Sequence, residues 1–468
     1  MNRSEPFRPP APKPKTMAGA FASAFLGARD VLSLLPGSAY ETFIGQAPGS
    51  KRPIFIVNHP HLVRKVLIDR VANYPKSDLM VGALAPLVGD GMFISAGETW
   101  ARQRRMIDPA FAHMRIKTAY QQMVAAVDAA ETRLDAAAGP LPLDEEMSRL
   151  TADIVFRTIF SEPIEGEHAS AVFHAFAEYQ NSVPQIEPKV MLESPAWAEI
   201  EPPKRVKEMC AVIRERLGVM IDRRLASGER RADIAGDVIT ARDPETGEGF
   251  TRDELIDQIA VFFLAGHETS ASALTWAFFI LSQTPETVAR IRKETARAVG
   301  DGPIRFEHVR ALGYTRNVFR EALRLYPPVS FITRIATKDD VLGEQKIAAG
   351  SLVVVSPWLI HRHRKFWRRP DVFDPDRHLP GRMTKIASLA YLPFGLGPRV
   401  CAGASFATTE SVLILASLCR RYDFETLNAK RVMPVGKLTT RPKEPIRMRF
   451  LRRAPHPASA AAPAPVSG

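Results

Sequence analysis

The chain is poor in cysteine. Its 468 residues include three, Cys210, Cys401 and Cys419, which form no disulfide framework and no close metal-ligand pair; this suits a reducing compartment and argues against zinc. Linkers are also missing. From Ser38 to Leu451 the apolar segments follow one another without a long Gly/Ser or Pro/Ser stretch, and no internal repeat is present. One large domain over residues 17–452 is therefore expected, although the length is roughly three times the ~150-residue norm for a domain. The N-terminus has no secretory h-region, and Met17 to Leu35, apolar at first, is interrupted by Arg29 and Asp30 well short of the ~18 residues of a membrane span. A cytoplasmic protein with no transmembrane anchor is expected. AFASAFLGARDVLSLL reads as an amphipathic helix that packs on the protein's own body, with peripheral membrane association as its alternative use. Residues 1–16, with five prolines, and 453–468, rich in Pro and Ala, lack periodicity and are expected to be disordered tails.

Positive charge is what the chain has in excess. Lys and Arg number 63 against 51 Asp and Glu, a net charge of +12, which suits nucleic acid, an anionic membrane or an acidic protein partner. Two stretches are strongly basic, Trp100 to Lys117 and His361 to Arg369. Neither interleaves aromatic residues at a stacking spacing or resembles a helix-turn-helix or zinc finger, so nucleic acid is not expected. A solvated basic face is the plain reading.

One cysteine stands in an unusual setting. Phe394 to Gly403 reads FGLGPRVCAG, a loop whose Gly395, Gly397 and Gly403 permit positive φ and close backbone approach, so that amides can point at the Cys401 sulfur. Arg399 places a cation nearby. The following GASFATTESVLILASLCRRY reads as a helix, with its positive N-terminus beside the cysteine. Each feature favours a thiolate, and hence a metal ligand, over an inert buried thiol.

A long helix is expected from Asp253 to Gln283. Thr251 and Glu254 form a capping box and Pro285 lies just past the end. At 1.5 Å per residue it spans roughly 45 Å. Its flanks IAVFFLA and LTWAFFIL are apolar all round, yet its centre reads AGHETSAS. A polar block inside a buried helix is costly unless hydrogen-bonded or functional, and Gly266 removes a side chain where a planar cofactor could approach. Downstream, Glu321 and Arg324 in REALRLYPP form an i, i+3 pair on a helix that Pro327 and Pro328 terminate; exposed, such a pair contributes only about 0–1 kcal/mol. Trp100 and Arg104 lie one helical turn apart, able to face the same anion. RPIFIVN and SLVVVSP read as strands.

The decapeptide matches, at Phe394, Gly395, Gly397, Arg399, Cys401 and Gly403, the signature of the haem-thiolate monooxygenases, and the chain resembles the cytochrome P-450 family from about Ser38 to Leu451. The resemblance implies a mainly α single domain with a smaller β-rich region. It implies haem b with Cys401 as axial iron ligand, dioxygen as co-substrate, and NAD(P)H used indirectly through a ferredoxin or flavodoxin-like donor and its reductase, since no flavin or iron-sulfur domain fits in what remains of the chain. Glu268 and Thr269 fall on the acid-threonine pair that relays protons in the oxygen-binding helix, and Ala265 and Gly266 on the small residues facing the haem. Trp100, Arg104, Arg334, Arg399 and His361 fall on or near propionate-binding positions, while Glu321, Arg324 and Arg377 match a structural triad; His378 stands where an aromatic residue is common. Pocket positions map to Met80, Leu84, Leu87, Phe262, Phe263, Val329, Phe331, Ile332 and Leu438, an apolar set suited to a hydrophobic substrate such as a fatty acid, terpenoid or polycyclic compound. Hydroxylation of such a molecule by a monomer is the leading expectation. Arg102, Arg105, Arg115, Lys117 and Arg364 would then form the face that receives an acidic electron donor. The alternatives are a haem-thiolate isomerase, dehydratase or peroxygenase of oxygenated lipids, whose members tend to lose the acid-threonine pair, or a non-catalytic haem-binding sensor.

Overall fold

Helix dominates wherever apolar residues recur every three or four positions. The computed structural model describes residues 6–25, 30–182, 201–229 and 231–454; residues 1–5 and the C-terminal tail from 455 lie outside the described residues. Among these, eleven helices have nine residues or more: α1 Met17–Phe25, α2 Asp78–Val88, α3 Gly97–Ile107, α4 His113–Ala136, α5 Leu143–Phe160, α6 Glu167–Ser182, α7 Lys204–Ser227, α8 Arg252–Ser282, α9 Pro285–Val299, α10 Gly313–Leu325 and α11 Ala404–Arg421. Helix α8 is the expected long helix, within one residue at each end. Its capping box is formed, with the Thr251 amide donating to Glu254 Oε2 at 2.8 Å and the Glu254 amide to Thr251 Oγ1 at 3.3 Å. Pro285 opens α9 at its first turn, where a missing N–H costs nothing.

The β-rich region is small. The two predicted strand segments form β2, Ile54–Val57, and β7, Leu352–Val355, and pair in parallel. With β1, Ile44–Gln46, and β4, Ile332–Ile335, they make a four-stranded sheet in the order β1-β2-β7-β4. A hairpin of β9, Pro434–Gly436, and β10, Thr440–Pro442, lies apart from it, β5, Asp340–Leu342, and β6, Gln345–Ile347, form another, and β11, Arg447–Arg452, pairs with β3, Leu141–Pro142, and with β8, Tyr422–Thr426, beneath α8. The segment expected as an N-terminal tail instead lies against the body from Phe7 onward. The Phe7 carbonyl accepts from the Phe373 amide at 3.0 Å, the Pro10 carbonyl from the Tyr326 hydroxyl at 2.6 Å, and Lys15 bridges Pro36. Helix α1 packs partly on the body, burying Ala20 and leaving Met17 exposed. Beside it is an apolar cavity of about 260 Å³ lined by Met17, Leu34, Leu35, Ile54, Leu79 and Phe331 among others.

The Glu321–Arg324 pair is wholly buried, which changes its energetic meaning. Arg324 donates Nε to Glu321 Oε2 at 2.9 Å and Nη2 to Oε1 at 2.8 Å, and its other protons go to the carbonyls of His361, Pro370 and Val372. Arg377 reaches Glu321 Oε1 at 3.3 Å, and His378, the departure from the family pattern, bonds Oε2 at 2.9 Å. Desolvation would raise the Glu321 carboxyl, but Arg324, His378 and Arg377 outweigh it and hold it at about 2. A depressed carboxyl contributes stability that is complete above the unfolded value of about 4.3 and is lost as pH falls toward 2.

A second buried acid behaves in the opposite way. Glu410 on α11 has one hydrogen bond, from Ser270 Oγ of α8, while Oε2 has no partner, and burial pushes its carboxyl up to about 8.

Two outcomes are expected in denaturation experiments. Arg324→Ala leaves Glu321 buried and underpaired and lowers stability by about 3–5 kcal/mol, read from the urea midpoint; Glu321→Gln removes the acid limb that the native protein shows between pH ~4 and ~2. Glu410→Gln raises the melting temperature at pH 8, where the native protein holds a proton that its unfolded chain has released, and has little effect at pH 5.

Candidate active site

Local backbone chemistry exposes the sulfur. Gly395 and Gly397 have φ of 79° and 81°, and a Cβ on Gly397 would stand 2.2 Å from the Leu67 carbonyl oxygen, so only glycine lets the loop run this close to the preceding helical turn. Gly403 differs from expectation: its φ is −83° and it serves as the residue before α11. The Cys401 amide donates to the Phe394 carbonyl at 3.0 Å and the Val400 amide to Gly397 at 2.9 Å, closing the loop. Cys401 is exposed, whereas Cys210 and Cys419 are buried.

The expectation of a self-generated thiolate is corrected. Desolvation by the surrounding protein pushes the Cys401 thiol above its ordinary value, against the lowering effects of the Gly403 amide and the Arg104 guanidinium. A metal bound at this sulfur would displace the proton. Arg399 is not the cation at the sulfur. Its guanidinium lies 4.5 Å over the Trp100 ring and donates to the Ser95 carbonyl at 2.7 Å, while Arg104 reaches the Val400 carbonyl at 2.9 Å and Asp108 at 2.6 Å.

Next to these residues lies a concentration of unmatched positive charge. Arg334 on β4 is buried, gives Nη1 to the Thr333 carbonyl at 2.9 Å and leaves Nε without a partner. Burial, with Arg399 adding repulsion, lowers its pKa to about 10, and burial with Arg104 does the same to Arg399. Lys76 completes the set. Its Nζ has only the Met80 sulfur at 3.9 Å and the Phe93 ring at 4.4 Å, and desolvation, Arg334 and Arg399 push it well below the lysine range. Among the described residues none of the three has a carboxylate within ion-pair distance. Three clustered, dehydrated cations are tolerated only where an anion joins them. A haem, with two propionates for these cations and an iron for Cys401, fits the residues present. Nothing in YPKSDLM marks Lys76 from sequence; its role depends on the Lys76–Arg334 bridge that folding creates.

Helix α8 supplies the opposite wall. Between Leu255 and Leu281 it is almost continuously enclosed, but Ala265, Gly266 and Thr269 retain surface. These positions, i, i+1 and i+4, share one face. Thr269 Oγ1 donates to the Ala265 carbonyl at 2.7 Å. Gly266 differs in part from expectation, because its missing Cβ points at Val155 of α5, 3.1 Å away, and so serves helix packing. Glu268 is buried and carries an ion pair to Arg441 of β10, with Thr439 Oγ1 2.6 Å from Oε1. Sequence reasoning passed over Arg441, which pairs with Glu268 across 173 positions.

Other expected residues lie elsewhere. His361 is fully enclosed, and its Nε2 accepts from the Leu392 amide at 3.0 Å; burial, with Arg324 and Arg362, lowers it to about 3. It is a neutral prop beneath the Cys401 loop, not a propionate ligand. Leu84, Leu87 and Phe263 belong to the core, where Phe263 stacks on His267 and meets Phe156 and Phe176. Phe262 packs edge-on against Phe111. Met80, Val329, Phe331 and Ile332 retain surface, and Leu438 is exposed.

The basic face is also corrected. Arg102 pairs with Glu254 at 2.6 Å, Arg105 with Asp243 at 3.1 Å, Arg115 with Asp237 at 2.9 Å, Lys117 with Glu307 at 3.6 Å and Arg364 with Glu41 at 2.8 Å. Arg382 and Lys385, on the segment that runs into the Cys401 loop, are exposed and make no ion pair among the described residues.

Known proteins place this geometry in a family. The chain is 34% identical over 418 residues to cyclooctatin synthase of Streptomyces melanosporofaciens, covering 87% of each chain. It is 31% identical over 371 residues to cyclooctat-9-en-7-ol 5-monooxygenase of the same organism, covering 79% of each. The crystal structure of the cytochrome P450DA haem domain superimposes with a TM-score of 0.78 at 25% identity, covering 88% of this chain and 91% of that one. The family pattern described as cytochrome P-450 matches residues 39–450, and the chain belongs to the cytochrome P-450 family of haem monooxygenases.

Proposed function

We propose that this monooxygenase hydroxylates a carbocyclic, terpenoid-type hydrocarbon or its alcohol, with electrons from a separate ferredoxin or flavodoxin-like donor. The observation that carries the reading of the site is the set of three cations without carboxylates, Lys76, Arg334 and Arg399, beside an open Cys401. The names of two relatives, cyclooctatin synthase and cyclooctat-9-en-7-ol 5-monooxygenase, the second of which names an unsaturated alcohol, support the substrate class. So does the apolar character of the expected pocket residues that retain surface, Met80, Val329, Phe331, Ile332 and Leu438, which suits an apolar molecule recognised by shape.

Haem bound through Cys401 supplies dioxygen activation and C–H oxidation. The protein's own groups have narrower tasks. Lys76, Arg334 and Arg399 would hold the propionates and so fix the plane of the ring, with Trp100 backing Arg399 and Arg104 tying the cysteine loop to α3. Thr269 holds a hydroxyl at the open face of α8; its oxygen can accept a hydrogen bond while its proton rests on Ala265, and turning the hydroxyl away from Ala265 would let it pass that proton on as it takes another. The apolar residues orient the substrate and exclude water. The donor would dock over the loop, where Arg382 and Lys385 are the free cations. No helix among the described residues is long and apolar enough to cross a membrane.

The reduced protein under carbon monoxide is expected to give the strongly red-shifted Soret band of a thiolate-ligated haem. Arg334→Ala should lower haem retention, and Thr269→Ala should keep the band but divert reducing equivalents to peroxide; unchanged coupling of reductant to product would remove Thr269 from proton transfer. Reduction by an acidic ferredoxin should slow only moderately as salt rises, because most of the surrounding arginines are already paired. Lys385→Glu should slow it severalfold at low salt, and stopped-flow rates indifferent to both changes would exclude docking at this face.

A further inference from the structure

Three parts of the molecule meet at the Glu268 carboxylate. Arg441 of β10 donates Nε to Oε1 at 2.8 Å and Nη2 to Oε2; Thr439 donates to Oε1 at 2.6 Å; Gln180, near the end of α6, donates Nε2 to Oε2 and accepts Arg441 Nη2 on its own oxygen at 2.8 Å. Glu268 is 2% exposed. Asp144, on α5, is the other carboxylate that faces Arg441. A carboxylate that accepts from a guanidinium, a hydroxyl and an amide has its acceptor positions taken up within the protein, and the Thr269 hydroxyl donates to Ala265 rather than to it.

The same hairpin is tied to the same stripe of α8 further along. The Thr440 carbonyl accepts from Ser272 Oγ at 2.7 Å and from Trp276 Nε1 at 2.8 Å. Glu268, Ser272 and Trp276 are i, i+4 and i+8, a single line on the helix. Thr440 also binds the loop after α10, through its amide to the Pro328 carbonyl at 2.9 Å and its hydroxyl to the Pro327 carbonyl at 2.6 Å. Between β9 and β10 the turn presents Leu438, an apolar residue 41% exposed.

From this arrangement we infer that Glu268 and Arg441 are positioning residues: their ion pair fixes the 434–442 hairpin and the end of α6 against α8, setting where Leu438 stands in the substrate wall. The inference takes the haem-thiolate reading of the site as given. It makes the acid of the acid-threonine pair a determinant of pocket shape in this chain. Removing one partner leaves a buried charge unmatched, whereas neutralising both removes the conflict.

Hydrogen exchange of the haem-loaded protein tests this. Glu268→Gln and Arg441→Met are each expected to speed amide exchange across 434–442 by about tenfold relative to wild type, with β8 and β11 unchanged. The double variant should return to within about threefold of wild type. The affinity for 4-phenylimidazole, read from the haem spectrum, should weaken in the singles and recover with the double. Hairpin exchange that stays at the wild-type rate in both singles overturns the proposal. Should the singles fail to fold, Thr439→Val and Arg441→Lys, which strand no charge, replace them, with a local rise again expected and its absence again decisive. A wild-type protein without the red-shifted carbon monoxide band would defeat the haem reading, and the exchange data would still report on the ion pair.

Discussion

The Glu321 carboxylate is the point from which the proximal half of the structure is hung. It has no access to water, so its charge must be met from within. Arg324 does so and then spends its remaining donors on the carbonyls of His361, Pro370 and Val372. His361, placed by that bond, turns its ring to the Leu392 amide, two residues before the Phe394 carbonyl that closes the Cys401 loop. The sulfur is thus located by a relay that begins at a buried ion on α10. His378 enters the same network where an aromatic ring would contribute packing alone, and adds a hydrogen bond to the carboxylate.

The region beside the Cys401 loop is governed by a charge imbalance. Lys76, Arg334 and Arg399 repel one another in a poorly solvated space, and nothing acidic among the described residues offsets them. Many other cations of the chain are matched to carboxylates, including the five on the face once expected to be free. That contrast gives the unmatched cluster its meaning: a dianion that binds there gains Coulomb energy that the polypeptide alone does not collect, and binding is linked to stability. The same logic applies to Cys401. Its thiol is held up by desolvation, while the backbone of the loop, closed by the Cys401 and Val400 amides, sets where the sulfur stands.

Local signals were legible in the sequence where they depend on neighbours in the chain. The capping box at Thr251, the proline after α8, the strands RPIFIVN and SLVVVSP and the positive-φ glycines 395 and 397 are all found in the structure. Properties that depend on distant partners were not. Whether Arg105 is free or paired depends on Asp243, 138 positions away; whether His361 faces a cofactor depends on Leu392; Lys76 gains its meaning only beside Arg334. Apolar type likewise failed to separate Phe263, locked against Phe156 and Phe176, from Phe331, which retains surface.

The polar centre of α8 shows how the two kinds of information combine. AGHETSAS is costly in a buried helix unless each group finds a partner, and nearly every one does. His267 meets Ser148 at 2.7 Å, Glu268 meets Arg441, Ser270 meets Glu410, and Ser272 meets the Thr440 carbonyl. These bonds knit α5, α11 and the 434–442 hairpin to one helix. Thr269 alone among them spends its proton on its own helix and keeps its oxygen toward open space. The polar block is therefore mostly architecture, and Thr269 is its polar member that retains surface.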